Sequence, residues 1–381
     1  MIAKFKNILF KFASMMIRIQ YRQSRPLLPL TKILIIQLQN LGDSMVFIPA
    51  LRALREVFPQ ARIDLLVHSI GFEVFRYCPY VNNFWYLPSW QWVHLLLISK
   101  QIRHIHYDAV ILDINHKAFL YNLIALLTGA RERIGFDWEG RGIFCTLCLP
   151  CPVDASFIEA NLSLVEAISP QKRNWCKDLE FWITENDYLW VEQTLRQFGV
   201  SNKDLLICIH PGSNWQSKRW FPDRFACVIK TLIKEYCAKV VLTGTKSEIP
   251  LINSIIHKIN LSPQLNTMLI SLVGKTTLGQ LAALIQRANL LVTVDSGPQH
   301  LAVAVGTPMV LLMSAQDYRR RWAPPDDPRY LVLRHDPPCS PCLQPVCPLP
   351  THDCMASISV EEVLAAIKLQ LDRFFPASTM F

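Results

Sequence analysis

Residues 32–67 read KILIIQLQNLGDSMVFIPALRALREVFPQARIDLLV. The opening run, KILIIQL, is short, apolar and rich in isoleucine, as expected of a strand buried on both faces. Asn40-Leu41-Gly42-Asp43-Ser44 interrupts it as a turn, and Gly42 permits a tight backbone there. From Ser44 to Phe58 the apolar residues recur at helical spacing, and RIDLLV is a second buried run. Strand, helix and strand in this order predict a parallel βαβ unit. No G-x-G-x-x-G follows the first strand, which argues against a nicotinamide oxidoreductase.

The alternation continues outward. NNFWYLP (82–88), HYDAVILDI (106–114) and ARERIGF (130–136) read as strands with helical segments between them. A second series begins at Leu205 with LLICIH, followed by the helical PDRFACVIKTLIKEY and the strands KVVLTG, TMLISLVG, NLLVTV and PMVLLM. Ser359 is an N-cap candidate for a last helix, VEEVLAAIKLQLDRFF. The chain therefore reads as two doubly wound α/β domains in tandem, at 31–185 and 186–358, with a C-terminal helix and tail at 359–381. Ligands in such sheets bind beyond the carboxyl ends of the strands.

The 381 residues suit two domains at roughly 100–200 residues each. A hydrophobic content of 51% excludes a largely disordered chain. The net charge of +9 points to anionic partners such as phosphorylated small molecules or a membrane surface. Cations are scattered apart from the N-terminus and Arg319–Arg321, so nucleic acid is not an expected partner. No apolar run reaches the roughly 18 residues of a spanning helix. The richest, Leu95 to Ile98, sits near Lys100 and Arg103.

Residues 1–30 form a basic preface. Phe5, Ile8, Leu9, Phe12, Met15, Met16 and Ile19 recur at helical spacing among Lys4, Lys6, Lys11, Arg18, Arg22 and Arg25. This is the pattern of an amphipathic helix lying on anionic lipid, or of a helix packed on the protein's own surface. Basic residues interrupt the apolar ones throughout, unlike a secretory signal. Cys208, Cys227 and Cys237 fall inside core-like patterns, which fits a reducing compartment.

Four loops carry the chemistry. In Asn40–Ser44, Asp43 stands at a helix N-terminus, as a cap or as a carboxylate base. In HPGSNWQSKRWFP (210–222), turn amides, Ser213 and Lys218 suit a diphosphate. In LTGTKSEIPLI (242–252), Glu248 is either an ordinary first-turn acid or an acceptor for ribose hydroxyls. In VDSGPQHLA (294–302), Ser296 and Gly297 offer amides to a phosphate oxygen, while Asp295 suits sugar hydroxyls and His300 lies in the first helical turn. The bland alternative there is a capped helix with a surface histidine.

These stretches, with VDSGPQHLAVAVGTPMVLL read to its end, resemble the lipopolysaccharide heptosyltransferases, glycosyltransferase family 9. The tail CSPCLQPVCPLPTHDC (339–354) also resembles the cysteine-bearing end of some members. The resemblance runs from about Lys32 to Leu371. It implies a GT-B fold, two facing Rossmann-like domains with a cleft between them. It also implies an inverting transfer from a nucleotide-diphosphate sugar, ADP-heptose in the best-known members, to a lipopolysaccharide-core-like or other lipid-linked saccharide. Asp43 matches the family's base, and Lys218 and Ser213 its donor-phosphate loop. Glu248 lies near the ribose-binding glutamate, and Asp295, Ser296, Gly297 and His300 match the donor-sugar and phosphate loop. Many members carry threonine where Ser296 stands. No metal cofactor is required by this reading, and no Asp-x-Asp is present.

Cys339, Cys342, Cys347 and Cys354 place four thiols in a short stretch, a candidate zinc set or simply free thiols. The expected location is cytoplasmic, peripheral on the inner face of the membrane. Competing readings are a nucleotide-sugar epimerase of the same two-domain shape and a non-catalytic nucleotide-sugar-binding protein. The Leu-Gly-Asp turn argues against the first, and the presence of both Asp43 and Lys218 argues against the second.

Overall fold

The computed structural model describes residues 30–89, 91–114, 119–137, 141–170 and 173–376. The basic preface, Leu30 apart, lies outside the described residues. The chain divides after Leu179 into two units. The first unit runs β1 (Lys32–Gln37), α1 (Leu41–Val57), β2 (Arg62–Val67), α2 (Ser69–Phe75), β3 (Asn83–Tyr86), α3 (Trp92–Arg103), β4 (Ala109–Leu112), α4 (Phe119–Leu127), β5 (Glu132–Asp137), β6 (Leu147–Pro150) and α5 (Phe157–Ile168). The second runs α6 (Glu185–Gln197), β7 (Leu206–His210), α7 (Pro222–Glu235), β8 (Lys239–Leu242), α8 (Ile249–Ile259), β9 (Leu269–Ser271), α9 (Leu278–Arg287), β10 (Leu290–Val294), α10 (Gly297–Val305), β11 (Met309–Leu312), β12 (Tyr330–Leu333) and α11 (Val360–Phe374). Short turns of helix at Arg319–Trp322 and Asp353–Ala356 complete it.

Each unit is built on one six-stranded sheet. The orders are β3-β2-β1-β4-β5-β6 and β12-β11-β10-β7-β8-β9, and every pairing is parallel. Numbered from its own first strand, each sheet has the order 3-2-1-4-5-6, the doubly wound dinucleotide-fold arrangement. The central strands are apolar throughout because helices cover both faces; β4, β7, β10 and β11 are buried at every residue. The sheet edges β6 and β12, absent from the sequence reading, are four residues long and only partly buried. The last helix, α11, packs on α7, β11 and β12 as part of the second unit.

One polar cluster lies inside the first unit. Asp64 on β2 is fully buried. It accepts from Arg62 at 2.8 Å, from Asn83 Nδ2 at 3.3 Å and from the Tyr107 hydroxyl, which in turn accepts from Trp85 Nε1 at 2.8 Å. Burial and the Asp64 carboxylate both push the Tyr107 phenol above its ordinary value. Removing the acid leaves the buried Tyr107 hydroxyl without its acceptor, while the half-exposed Arg62 keeps water, so Asp64→Ala is expected to destabilise this unit by about 1–3 kcal/mol. Equilibrium urea unfolding followed by tryptophan fluorescence measures it.

Candidate active site

Where a parallel sheet is wound outward in both directions from its middle, the loops after its first and fourth strands diverge and leave a crevice. In the second unit those strands are β7 and β10. Lys218 follows β7 and Asp295 is the first residue after β10, and the two meet as an ion pair at 2.8 Å with side chains 13% and 3% exposed. Two indole rings flank the ammonium: Trp215 at 5.8 Å and Trp322 at 5.5 Å from ring centroid to Nζ. Aromatic faces favour a cation held between them, by about 1–2 kcal/mol when it is desolvated.

The rest of the β10 loop closes around this pair. Gln299 Nε2 donates to Asp295 Oδ1 at 3.1 Å and lies 3.2 Å from His300 Nε2. The His300 and Trp322 rings are 5.8 Å apart. His300 is buried, not a surface residue. Burial lowers its pKa to about 4, outweighing the opposing pull of Asp295. Ser296 is the N-cap of α10, but its hydroxyl turns back to donate to the Val294 carbonyl at 3.2 Å. The helix start therefore has no side-chain cap, and Gly297 is its first residue. An N-terminus of this kind is a ready anion site.

Ser213 is also buried, in the loop after β7. Its carbonyl accepts from Arg219 Nε at 2.8 Å, which holds the loop folded back beside Lys218. Glu248 sits after the neighbouring strand β8. Its Oε2 accepts from Thr245 N at 2.7 Å and Thr245 Oγ1 at 2.9 Å, a capping box. Its Oε1 lies 2.0 Å from where a Cβ on Gly212 would stand, so a larger residue there would displace the Glu248 carboxylate. His210 Nδ1 is 3.1 Å from Thr243 Oγ1, and burial lowers its pKa against the attraction of Glu248.

The first unit repeats the arrangement after β1 and β4. Asp43 follows β1 and is 8% exposed. It is the third residue of α1, not its cap: Asn40 caps the helix, and the Asn40 amide donates to Asp43 Oδ2 at 3.2 Å. Asp113 ends the neighbourhood of β4 and is 1% exposed. The Tyr121 hydroxyl donates to the Leu38 carbonyl at 2.6 Å, and burial, Asp113 and Asp43 together raise its pKa. Asp113, Gln299 and Trp322 were not singled out by motif reading. Asp113 at the end of an apolar strand run, HYDAVILDI, was the available signal.

The four tail cysteines are free thiols and line one small recess with Ser217 and His352. Among the described residues no three His, Cys, Asp or Glu side chains are gathered closely enough to hold a metal ion as they stand. The segment braces the residue before Lys218. Ser217 N donates to the Pro345 carbonyl at 3.1 Å, Ser217 Oγ to the Gln344 carbonyl at 2.6 Å, and His352 Nε2 to the Ser217 carbonyl at 2.9 Å.

Two six-stranded parallel Rossmann-like sheets, each with charged loops at its switch point, are the GT-B arrangement. Residues 96–352 match the family model "Glycosyltransferase family 9 (heptosyltransferase)", and the chain belongs to that family. It is 25% identical over 284 residues to the lipopolysaccharide core heptosyltransferase OpsX of Haemophilus influenzae, covering 72% of this chain and 77% of that protein. Its fold is similar to a glycosyl transferase of family 9 from Veillonella parvula, with a TM-score of 0.77 and 23% identity over 91% of this chain and 98% of that one. It is also similar to the E. coli ADP-heptose lps heptosyltransferase II, with a TM-score of 0.73 and 23% identity over 90% and 99% of the two chains. The chain is thus a glycosyltransferase, and the epimerase and binding-only alternatives give way to it. Among the described residues no helix is long and apolar enough to cross a membrane.

His300 and His210 are held neutral by burial and gain a proton on unfolding below their ordinary value of 6.5. Their neutral burial destabilises nothing above about pH 6.5, and stability is lost as pH falls from there toward 4. The calorimetric Tm of the second unit is expected to fall between about pH 7 and pH 5, with a shallower fall for His300→Gln.

Proposed function

We propose that this enzyme moves a heptose from ADP-heptose to a hydroxyl of a lipid-linked saccharide of the lipopolysaccharide-core class, with inversion at the anomeric carbon, at the cytoplasmic face of the membrane. The observation that carries the reading is the buried Lys218–Asp295 pair at the switch point of the second sheet, with an uncapped helix start beside it. The relatives' names, which specify lipopolysaccharide heptosyltransferases and ADP-heptose, support the donor and the acceptor class.

In this scheme the diphosphate lies between Lys218 and the first amides of α10, with Ser213 in the same loop. A diphosphate beside Lys218 draws the ammonium from Asp295, whose carboxylate then accepts from hydroxyls of the donor sugar. His300, neutral, adds no positive charge of its own and packs against Trp322. Glu248 takes a ribose hydroxyl on the oxygen next to Gly212, because the other is held by Thr245. Asp43 accepts the proton of the attacking hydroxyl while that oxygen bonds to the anomeric carbon. The carbon–oxygen bond to the β-phosphate breaks on the opposite side, and ADP leaves with the electron pair. The negative charge that builds on ADP is stabilised by Lys218 and the helix amides, donors already in place before the reaction.

Asp43→Asn removes the base and leaves the second unit intact. Transfer is expected to fall by about 10²–10⁴ while ADP-heptose affinity stays within about twofold. Turnover within tenfold of the parent chain would remove Asp43 from the mechanism. Lys218→Ala is expected to weaken both donor affinity and turnover, each by at least about tenfold, since a charge-assisted contact to phosphate contributes roughly 1.5–3 kcal/mol. Isothermal calorimetry and a discontinuous ADP-release assay separate the two effects.

A further inference from the structure

Helix α3 has two apolar faces, and only one is used by the fold. Leu95, Ile98 and Ile102 enter the core of the first unit with Leu34, Leu112 and Ile124. Val93, Leu96 and Leu97 point outward at 63%, 56% and 54% exposure. Positions 93, 96, 97 and 100 share one stripe of a helix, and the stripe ends in the exposed Lys100. Arg103, also exposed, lies along the turn after α4, its Nε 3.3 Å from where a Cβ on Gly129 would stand. That turn carries the exposed Leu126 before it and the exposed Arg131 after it. From Pro79 to Tyr107 the sequence contains no acid. An isolated exposed leucine needs no explanation, but three aliphatics on one stripe with a cationic end do.

The point where the preface joins the fold bears on the same corner. Thr31 donates through N and Oγ1 to Asp108 at 2.8 Å each, and Lys32 Nζ donates to the Ile105 carbonyl at 3.0 Å. Thr31 and Lys32, which follow residues 1–29 in the sequence, are therefore tied beside the carboxyl end of α3. The sequence of residues 1–29 holds six cations, no acid and apolar residues at helical spacing. An anionic bilayer meets these cations and those at the end of α3 with opposite charge and takes both apolar stripes.

We propose that the outward face of α3, with Lys100, Arg103 and Arg131 at its end, docks the first unit on an anionic lipid surface. The inference extends the reading of a lipid-linked acceptor, because a lipid surface is where such an acceptor is presented.

The test is flotation of the full chain with vesicles of phosphatidylcholine alone and with about 30% phosphatidylglycerol. The parent chain is expected to float with the anionic vesicles only. Leu96→Gln with Leu97→Gln, and separately Lys100→Glu with Arg103→Glu, are expected to lower the bound fraction about tenfold. Calorimetric affinity for ADP-heptose, unchanged in both, shows that the variants are folded. Amide exchange in residues 91–104 is expected to slow when anionic vesicles are added. A parent chain that does not float, or variants that float as well as it does, overturns the proposal. So does protection of 91–104 before vesicles are added, which would mean residues 1–29 cover the face, or a change confined to sedimentation mass, which would mean a second copy does. Transfer to a soluble, delipidated acceptor is read alongside: its absence with vesicle docking intact counts against the transferase reading alone, and its presence without docking against this proposal alone.

Discussion

A sheet wound outward from its middle strand cannot close the space between the loops of its first and fourth strands, and the chemistry of this protein depends on that constraint twice. In each unit the opening lies at the carboxyl ends of parallel strands, where helix starts present unpaired amides. The second unit places Lys218 and Asp295 there, and the first places Asp43 and Asp113. The same topology therefore sets an ion pair and an uncapped helix start at one switch point and two carboxylates at the other. The difference comes from a few loop residues set on nearly identical frames.

The Lys218–Asp295 pair is costly to bury and is held by its surroundings on every side. Trp215 and Trp322 flank the ammonium, Gln299 holds the carboxylate, and the cysteine-bearing tail fixes Ser217 one residue away. Buried pairs of this kind add little net stability, but breaking one leaves an uncompensated charge. Under the proposed function their use is positional: the pair sets a cation where a diphosphate would bring its charge. Glu248 follows the same logic, since the capping box that fixes one oxygen on Thr245 also sets the other against Gly212.

Much of this was legible in the sequence because the turn residues are special for local reasons. Gly42, Gly212 and Gly297 mark strand-to-helix turns, and the apolar runs before them are too short and too β-branched to be helices. Two of the four sheet edges were not legible: β6 and β12 are four residues long and mostly half-buried, so LCLP and YLVL are runs too short to stand out as strands. Roles that depend on contacts across the fold were hidden as well. Asn40 takes the cap that Asp43 was a candidate for, and His300 is buried because Trp322, more than twenty residues later, returns to cover it. Nothing in the sequence showed that Gln344, Pro345 and His352, within the cysteine-bearing tail, hold Ser217 beside Lys218, because those bonds span more than a hundred residues.

The most direct measurement is a calorimetric titration of the full chain with ADP-, UDP-, GDP- and CDP-sugars under one buffer condition. Selective binding of ADP-heptose, weakened by Lys218→Ala, is the result predicted by a switch-point site built around the Lys218–Asp295 pair. Selective binding of a different nucleotide, or ADP-heptose binding indifferent to Lys218, would contradict it.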